Sequence, residues 1–246
     1  MVCSLLSILM EMELSKLLTI VIPCKNEGKI IEQTLSLLNF QKGIQDVRVI
    51  VCDSSDDDYT SYSLENRRTD YFNLQIISGG LPSVARNKGA ENVETPYVLF
   101  LDADIFLLDF DILNNCIWEF LLHDTDLITC KVRSTTGEYN SIFRLFDTIQ
   151  KVFKPITPFC LGGFMMVKKE VYDSIGGFDE NARVAEDYLF SKQVKPSKFY
   201  IMNTTVFTSP RRFKQKGVWY MLKLMVSSFF NRNNKNHFED DKGYWE

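Results

Sequence analysis

The sequence predicts an α/β fold: a mixed, mostly parallel sheet flanked by helices, in one continuous domain. Three observations carry this. Short β-branched runs alternate with helical patterns through the first 105 residues, and that alternation builds a parallel sheet covered on both faces. The 246 residues are 45% hydrophobic, enough to bury a core without disulfides or metal staples. No linker, repeat or low-complexity stretch separates the two halves.

Each element has its own signal. Residues 17–23 form an apolar run ending in Pro23, the pattern of a buried strand. Asn26, Glu27 and Gly28 make a turn, and Ile30, Ile31, Thr34, Leu35 and Leu38 then fall on one helical face. Residues 47–52 are β-branched and run into the acidic turn Asp53–Asp58, which suits a helix start. A third strand is expected at 73–78, a helix from Pro82 to Val93, and a fourth strand at 97–101 that ends in Asp102-Ala103-Asp104. The second half is less regular. A helix near 109–122, a strand near 126–132, a helix over 139–153, a strand entered through Gly162 and Gly163, and a helix opening at Ala185 are expected.

Net charge is −4, which gives no global electrostatic reason to expect a nucleic-acid partner. The six cysteines form no C-x-x-C pair, and with two histidines they make no zinc signature. Buried thiols in a reducing, cytoplasmic compartment are the expectation. Residues 1–16 are read as an N-terminal extension: the stretch is apolar, but Glu11 and Glu13 interrupt it and it has no basic leader. No stretch reaches 18 uninterrupted apolar residues, so no transmembrane helix is expected.

Ligands of such sheets sit at the carboxyl ends of the strands. Asp53, Asp102 and Asp104 all follow strand ends, so several carboxylates should share one rim. Two carboxylates one residue apart suit a hard divalent cation, Mg²⁺ or Mn²⁺, that bridges phosphate oxygens. D-x-D strings also occur in plain turns. Asp53 suits the imide N–H of a uracil, or a helix cap with no ligand. Arg86, in Leu-Pro-Ser-Val-Ala-Arg-Asn-Lys, offers a planar fork for phosphate oxygens, or is an ordinary surface cation. Glu186-Asp187 opens a helix, where a carboxylate is either a general base or a cap.

Taken in order, these segments resemble the family 2 glycosyltransferases. Thr-Ile-Val-Ile-Pro-Cys-Lys-Asn-Glu-Gly is similar to their first strand and turn, and Val-Ile-Val-Cys-Asp-Ser-Ser-Asp to their nucleoside turn, with Ser54 and Ser55 replacing part of the usual Asp-Asp-Gly-Ser. Ala-Arg-Asn-Lys-Gly-Ala-Glu, the D-x-D strand, Gly-Gly-Phe-Met-Met-Val and Ala-Glu-Asp-Tyr continue the match from about Leu17 to about Arg212. The resemblance implies a GT-A-like (Rossmann-like) fold over 17–210 and an inverting transfer of sugar from a nucleotide sugar, UDP-linked, to a hydroxyl of a glycan or lipid-linked glycan. It implies Pro23, Glu27 and Asp53 in the nucleoside pocket and Arg86 near the base and diphosphate. Asp102 would face the ribose and metal shell, with Asp104 the direct ligand of Mn²⁺ or Mg²⁺. Asp187 would be the base, with Glu186 orienting it or the acceptor. Arg211 and Arg212 would stand against the diphosphate, although no Q-x-x-R-W string occurs. A nucleotidyltransferase of related fold would need a glycine-rich loop after the first strand, where Cys24-Lys25-Asn26-Glu27-Gly28 stands instead. A non-catalytic nucleotide- or glycan-binding module is the other reading. No P-loop or G-x-G-x-x-G string is present.

Residues 211–246 read as a basic amphipathic segment with an acidic end. Arg211 to Lys235 holds seven basic residues and no acidic one. Lys216, Tyr220, Lys223, Ser227 and Asn231 trace one helical stripe, and Val218, Trp219, Leu222, Met225, Val226, Phe229 and Phe230 fill the opposite face. Two outcomes stay open: peripheral contact with an anionic membrane at its cytoplasmic face, or a helix packed on the domain.

Overall fold

A computed structural model describes residues 13–65, 71–161 and 163–241. Most of the expected N-terminal extension, residues 1–12, lies outside the described residues, as does Gly162.

The first half alternates as the sequence predicts. The order is β1 (Leu18–Cys24), α1 (Gly28–Leu38), β2 (Arg48–Asp53), α2 (Asp58–Glu65), β3 (Asn73–Ser78), α3 (Pro82–Ala90) and β4 (Tyr97–Leu101). Then follow β5 (Ile105–Phe106), α4 (Ile112–Leu122), β6 (Leu127–Ser134), α5 (Asn140–Phe153), β7 (Phe164–Lys168), α6 (Lys169–Ile175) and α7 (Glu186–Ser191). The chain continues through β8 (Phe199–Thr208), α8 (Arg211–Lys216), α9 (Val218–Phe230) and α10 (Asn236–Glu239).

The eight strands form one sheet in the order β3-β2-β1-β4-β7-β6-β8-β5. β1 lies parallel to both β2 and β4, and β2 is parallel to β3. β7 enters antiparallel between β4 and β6, while β6 and β8 are parallel. Every residue of β4 is buried, as is β1 apart from Pro23; strands covered on both faces read as continuous apolar runs for this reason. The strand order reverses between β1 and β4, so their carboxyl ends open a crevice there.

Helix packing fixes the walls of that crevice. α3 lies on β1 and β2, and Gly89 makes this approach possible: a Cβ there would stand 2.3 Å from a Val21 methyl. α8 is anchored by Phe213, whose ring stacks on Tyr139 at 5.3 Å and meets Phe143 edge-on at 5.2 Å.

The expected C-terminal helix is two helices. Gly217, at φ +81°, breaks it between α8 and α9. The wide apolar face of α9 is also divided. Val218, Met221, Leu222 and Met225 pack on the main core, whereas Trp219, Val226 and Phe230 are exposed with Lys223 between them. β5, α6 and β8 were not expected from the sequence. The five described cysteines are buried free thiols. Among the described residues no helix is long and apolar enough to cross a membrane.

Candidate active site

A cleft of about 830 Å³ opens at the carboxyl ends of β1 and β4. Pro23, Glu27, Arg86, Asp102, Asp104, Glu186, Asp187, Arg211 and Arg212 all line it. Residues predicted from strand ends, a helix start and the C-terminal basic stretch therefore meet in one place. Asp53 does not line it; its neighbour Ser54 does. One Asp53 carboxylate oxygen accepts from the Ser55 N–H at 3.0 Å, closing a local turn.

Arg86 organises the centre of the cleft. It is 3% exposed, and its guanidinium donates to Asp102 Oδ1 and Glu186 Oε1, each at 2.6 Å. The family resemblance implied this fork near the base and diphosphate. In the structure two of its nitrogens are committed to carboxylates, tying the end of β4 to the start of α7. Asp102 Oδ2 also accepts from the Gly163 N–H at 3.2 Å, so both its oxygens are held. Gly163 has φ +67°, a conformation that favours glycine.

Asp104 is placed differently. Its carboxylate accepts from the Thr208 hydroxyl at 3.2 Å and lies 3.9 Å from the Arg211 guanidinium. Burial raises its pKa first, and the nearby Asp102 charge adds to this, while Arg212 and Arg211 oppose the rise. Arg211 also pairs with Glu27, whose own pKa is raised by burial against the pull of that arginine. The second Glu27 oxygen is buried with no hydrogen-bond partner. α8 thus brings its first residue against carboxylates from the β1–α1 turn and the D-x-D turn.

Asp187 sits at the first turn of α7, just after Ala185, which is held at φ 53° and ψ 36°. A left-handed alanine is a strained position, and such strain is concentrated at functional sites. Asp187 accepts from the Tyr188 N–H at 2.7 Å. Burial, then the Glu186 charge, push its pKa up to about 7, against the pull of Arg86. A carboxylate titrating near 7 is deprotonated in good part at neutral pH and binds the proton it takes more tightly than an ordinary carboxylate, which suits a general base.

Among the described residues no group of three His, Cys, Asp or Glu side chains could hold a metal by itself. The donors fit a cation that takes only one or two carboxylates and completes its shell with phosphate oxygens, as Mg²⁺ does. Asp104 offers hard oxygen in a desolvated pocket, whereas Asp102 is fixed by Arg86 and Gly163.

Sequence reasoning missed several lining residues. Ser54 accepts from the Gly80 N–H and donates to the Gly80 carbonyl at 2.8 Å, joining the β2 turn to the β3–α3 loop. Thr208, Ser209 and Arg183 also line the cleft. Thr208 and Ser209 follow β8, so missing that strand hid them.

An open sheet with a carboxylate-lined crevice at its switch point and a half-buried D-x-D turn there matches the GT-A-like class of α/β fold. The chain belongs to glycosyl transferase family 2, whose sequence profile matches residues 19–176. It is 22% identical over 193 residues to the O-antigen chain rhamnosyltransferase RfbN of Salmonella typhimurium, covering 72% of this chain and 60% of that one. The chain therefore spans less than two thirds of that relative. Among solved structures it is similar to the mannosyltransferase PcManGT from Pyrobaculum calidifontis, in complex with GDP-Man and Mn²⁺. The TM-score is 0.67 at 17% identity, over 92% of this chain and 68% of that one. S. aureus TarS 1–349 in complex with UDP-GlcNAc gives a TM-score of 0.58 at 19% identity, over 78% of this chain and 58% of that one. These likenesses show the fold.

Proposed function

We propose that this chain is an inverting glycosyltransferase that moves a sugar from a nucleotide diphosphate, a UDP-sugar, to a hydroxyl of a glycan or lipid-linked glycan. The observation that carries the reading is the placing of Asp187 and Asp104 on one cleft, with the carboxylates between them braced by Arg86.

In this reading Asp187 accepts the proton of the acceptor hydroxyl. The freed oxygen attacks the anomeric carbon, and the bond from that carbon to the diphosphate breaks on the opposite face, its electron pair leaving with the diphosphate. Arg211 and Arg212 balance the charge that develops there. Pro23 and Glu27 line the nucleoside side, and Asp53, set behind its lining neighbour Ser54, would reach the base through the oxygen not used by Ser55. Asp104, with Asp102 behind it, would hold Mn²⁺ or Mg²⁺, which supplies Lewis-acid stabilisation to a departing diphosphate. Arg86 and Glu186 are positioning residues: the ion pair fixes the start of α7 and so the direction of Asp187.

The free buried thiols suit a cytoplasmic setting, and the exposed Trp219, Val226 and Phe230 beside Lys223 suit contact with an anionic membrane face. The test is a screen of UDP, GDP and their sugars, with and without Mn²⁺, read by thermal stabilisation and by release of diphosphate nucleotide from the sugar donor. Metal-dependent stabilisation by UDP with slow donor hydrolysis is expected. Stabilisation by nucleoside triphosphates instead would favour the nucleotidyltransferase reading.

A further inference from the structure

Three consecutive acids, Glu239, Asp240 and Asp241, follow an aromatic anchor at the end of the described residues. The anchor is Phe238, 2% exposed and packed with Phe159, Ala182 and Tyr188. Its carbonyl accepts from the Arg183 N–H at 2.8 Å. Tyr188 is the chain neighbour of Asp187, so the anchor lies beside the start of α7. One residue before it, His237 meets the Ser227 hydroxyl of α9 at 3.4 Å. Three residues after it, Asp241 is half-buried and lines the cleft, as do Arg183, Arg211 and Arg212. Burial, then the Asp241 charge, raise the Tyr220 pKa, which makes Asp241 a neighbour of the first turn of α9.

These contacts fix the path of the segment. Ser227 and Tyr220 are seven residues apart on α9, roughly 10 Å along its axis. The four residues from His237 to Asp241 reach at most about 14 Å. The chain therefore runs back along α9, nearly extended, from the Tyr188 side of the cleft toward the end of α8. That helix carries Arg211, Arg212, Lys214 and Lys216 and no acid. Glu27 pairs with Arg211 and Glu138 with Lys214. Asp241 brings one more negative charge to this side from within the chain, at the high effective concentration that a short tether gives. A diphosphate would bring its own charge to the same arginines, and like charges at close range repel.

We propose that residues 239–241 are an autoinhibitory strap: hinged on Phe238, they hold the Asp241 carboxylate on the arginine side of the cleft, and a nucleotide diphosphate has to displace it. This rests on the glycosyltransferase reading and adds regulation to its donor site. The apparent donor affinity is the intrinsic one reduced by the fraction of molecules whose strap has swung out.

The test is calorimetric titration of the full chain with two probes, UDP with Mn²⁺ and inorganic pyrophosphate without metal. Asp241→Asn should tighten both by about three- to fivefold, the weight of one exposed ion pair. Glu94→Gln removes an exposed acid at the opposite rim, before β4, and should change neither. Phe238→Ala keeps every charge but loosens the hinge, so it should tighten both as well. Where the alanine variant does not fold, Phe238→Leu is read in the same way. Unchanged or weaker binding in Asp241→Asn overturns the proposal. So does an equal gain from Glu94→Gln, which would be an effect of net charge, and so does a folded Phe238 variant that binds as wild type. Binding of neither probe by any form also overturns it, since the strap would then have nothing to exclude. Pyrophosphate binding that tightens as expected in a chain that takes no UDP would keep the strap and count against the glycosyltransferase reading alone.

Discussion

Arg86 and Glu186 stand 100 residues apart in the chain and 2.6 Å apart in space. With Asp102 on the other side of the same guanidinium, they form the joint through which α3, β4 and α7 are held in register. A buried cation between two carboxylates is a poor source of net stability, because desolvation offsets most of the attraction. Removing one partner is costly, because the others remain charged and buried.

Arg86→Met is therefore expected to destabilise the fold by about 3–5 kcal/mol. Adding Asp102→Asn and Glu186→Gln to Arg86→Met should recover part of that loss, since no uncompensated charge is then left. Urea denaturation of the single and triple variants measures both. Equal stability of wild type and Arg86→Met would show the clamp to be solvated.

Asp187 gives a pH signature. Its pKa lies near 7 in the folded protein, against 3.8 for an ordinary aspartate. A general base works deprotonated, so kcat/KM should rise with pH and level off above about 7. The stability contribution has the opposite slope. The folded state holds a proton that the unfolded state has released, so this group's contribution falls as pH rises from the ordinary carboxylate value to about 7. Asp187→Asn should remove that limb and lower turnover by about 10²–10⁴, with nucleotide binding unchanged. Glu186→Gln removes the second cause of the shift and should move the limb to lower pH.

Asp104 is expected to carry the metal-dependent part of nucleotide binding. Asp104→Asn keeps the shape and the Thr208 contact but removes the charge. Calorimetric titration of UDP should show Mn²⁺ tightening binding in wild type and making no difference in the variant. Equal metal dependence in both would move the cation to another carboxylate.

Gly89 tests the fold beneath the site. Glycine to alanine within a helix ordinarily gains about 1 kcal/mol. Here the new methyl would lie 2.3 Å from Val21 and 3.0 Å from the Cys52 sulfur, and overpacking of a tight core costs about 1–3 kcal/mol. The second effect should win, so Gly89→Ala should melt below wild type.

The legible parts of the sequence were those where one local rule dominates. β1, β2 and β4 are buried on both faces, so they read as apolar runs, and their ends mark the carboxylates at the rim. β8 was legible in principle: Phe199 to Thr208 is rich in β-branched and aromatic residues and is bounded by Pro196 and Pro210. Its buried positions do not alternate cleanly, because the register slips between Thr129 and Lys131 of the partner strand. The Arg86 clamp was not legible, since nothing local in Ala-Arg-Asn-Lys shows that the arginine is buried. Nor was the division of α9, whose packed and exposed faces are both apolar.

Trp219 is 83% and Phe230 75% exposed on the face of α9 that also carries Lys223. From α5 and the turn after it, Val152 and Ile156 are 63% and 72% exposed. Isolated exposed apolar residues need no explanation, but a helix face carrying aromatic residues beside a cation suits the interface of an anionic membrane. Co-sedimentation with anionic vesicles at low salt should capture the protein, and neutral vesicles should capture less. Lys223→Glu reverses one charge at roughly 1 kcal/mol per unit, so binding should weaken on the order of 30-fold. Trp219 should shift its emission to shorter wavelength on binding, a change absent in Trp219→Ser. Raising salt should weaken capture, because exposed charges are screened beyond about 10 Å at 0.1 M. Capture that ignores salt, lipid charge and Lys223→Glu would assign anchoring to the apolar contacts alone. No capture at low salt would leave α9 as a packed helix with an uncovered face.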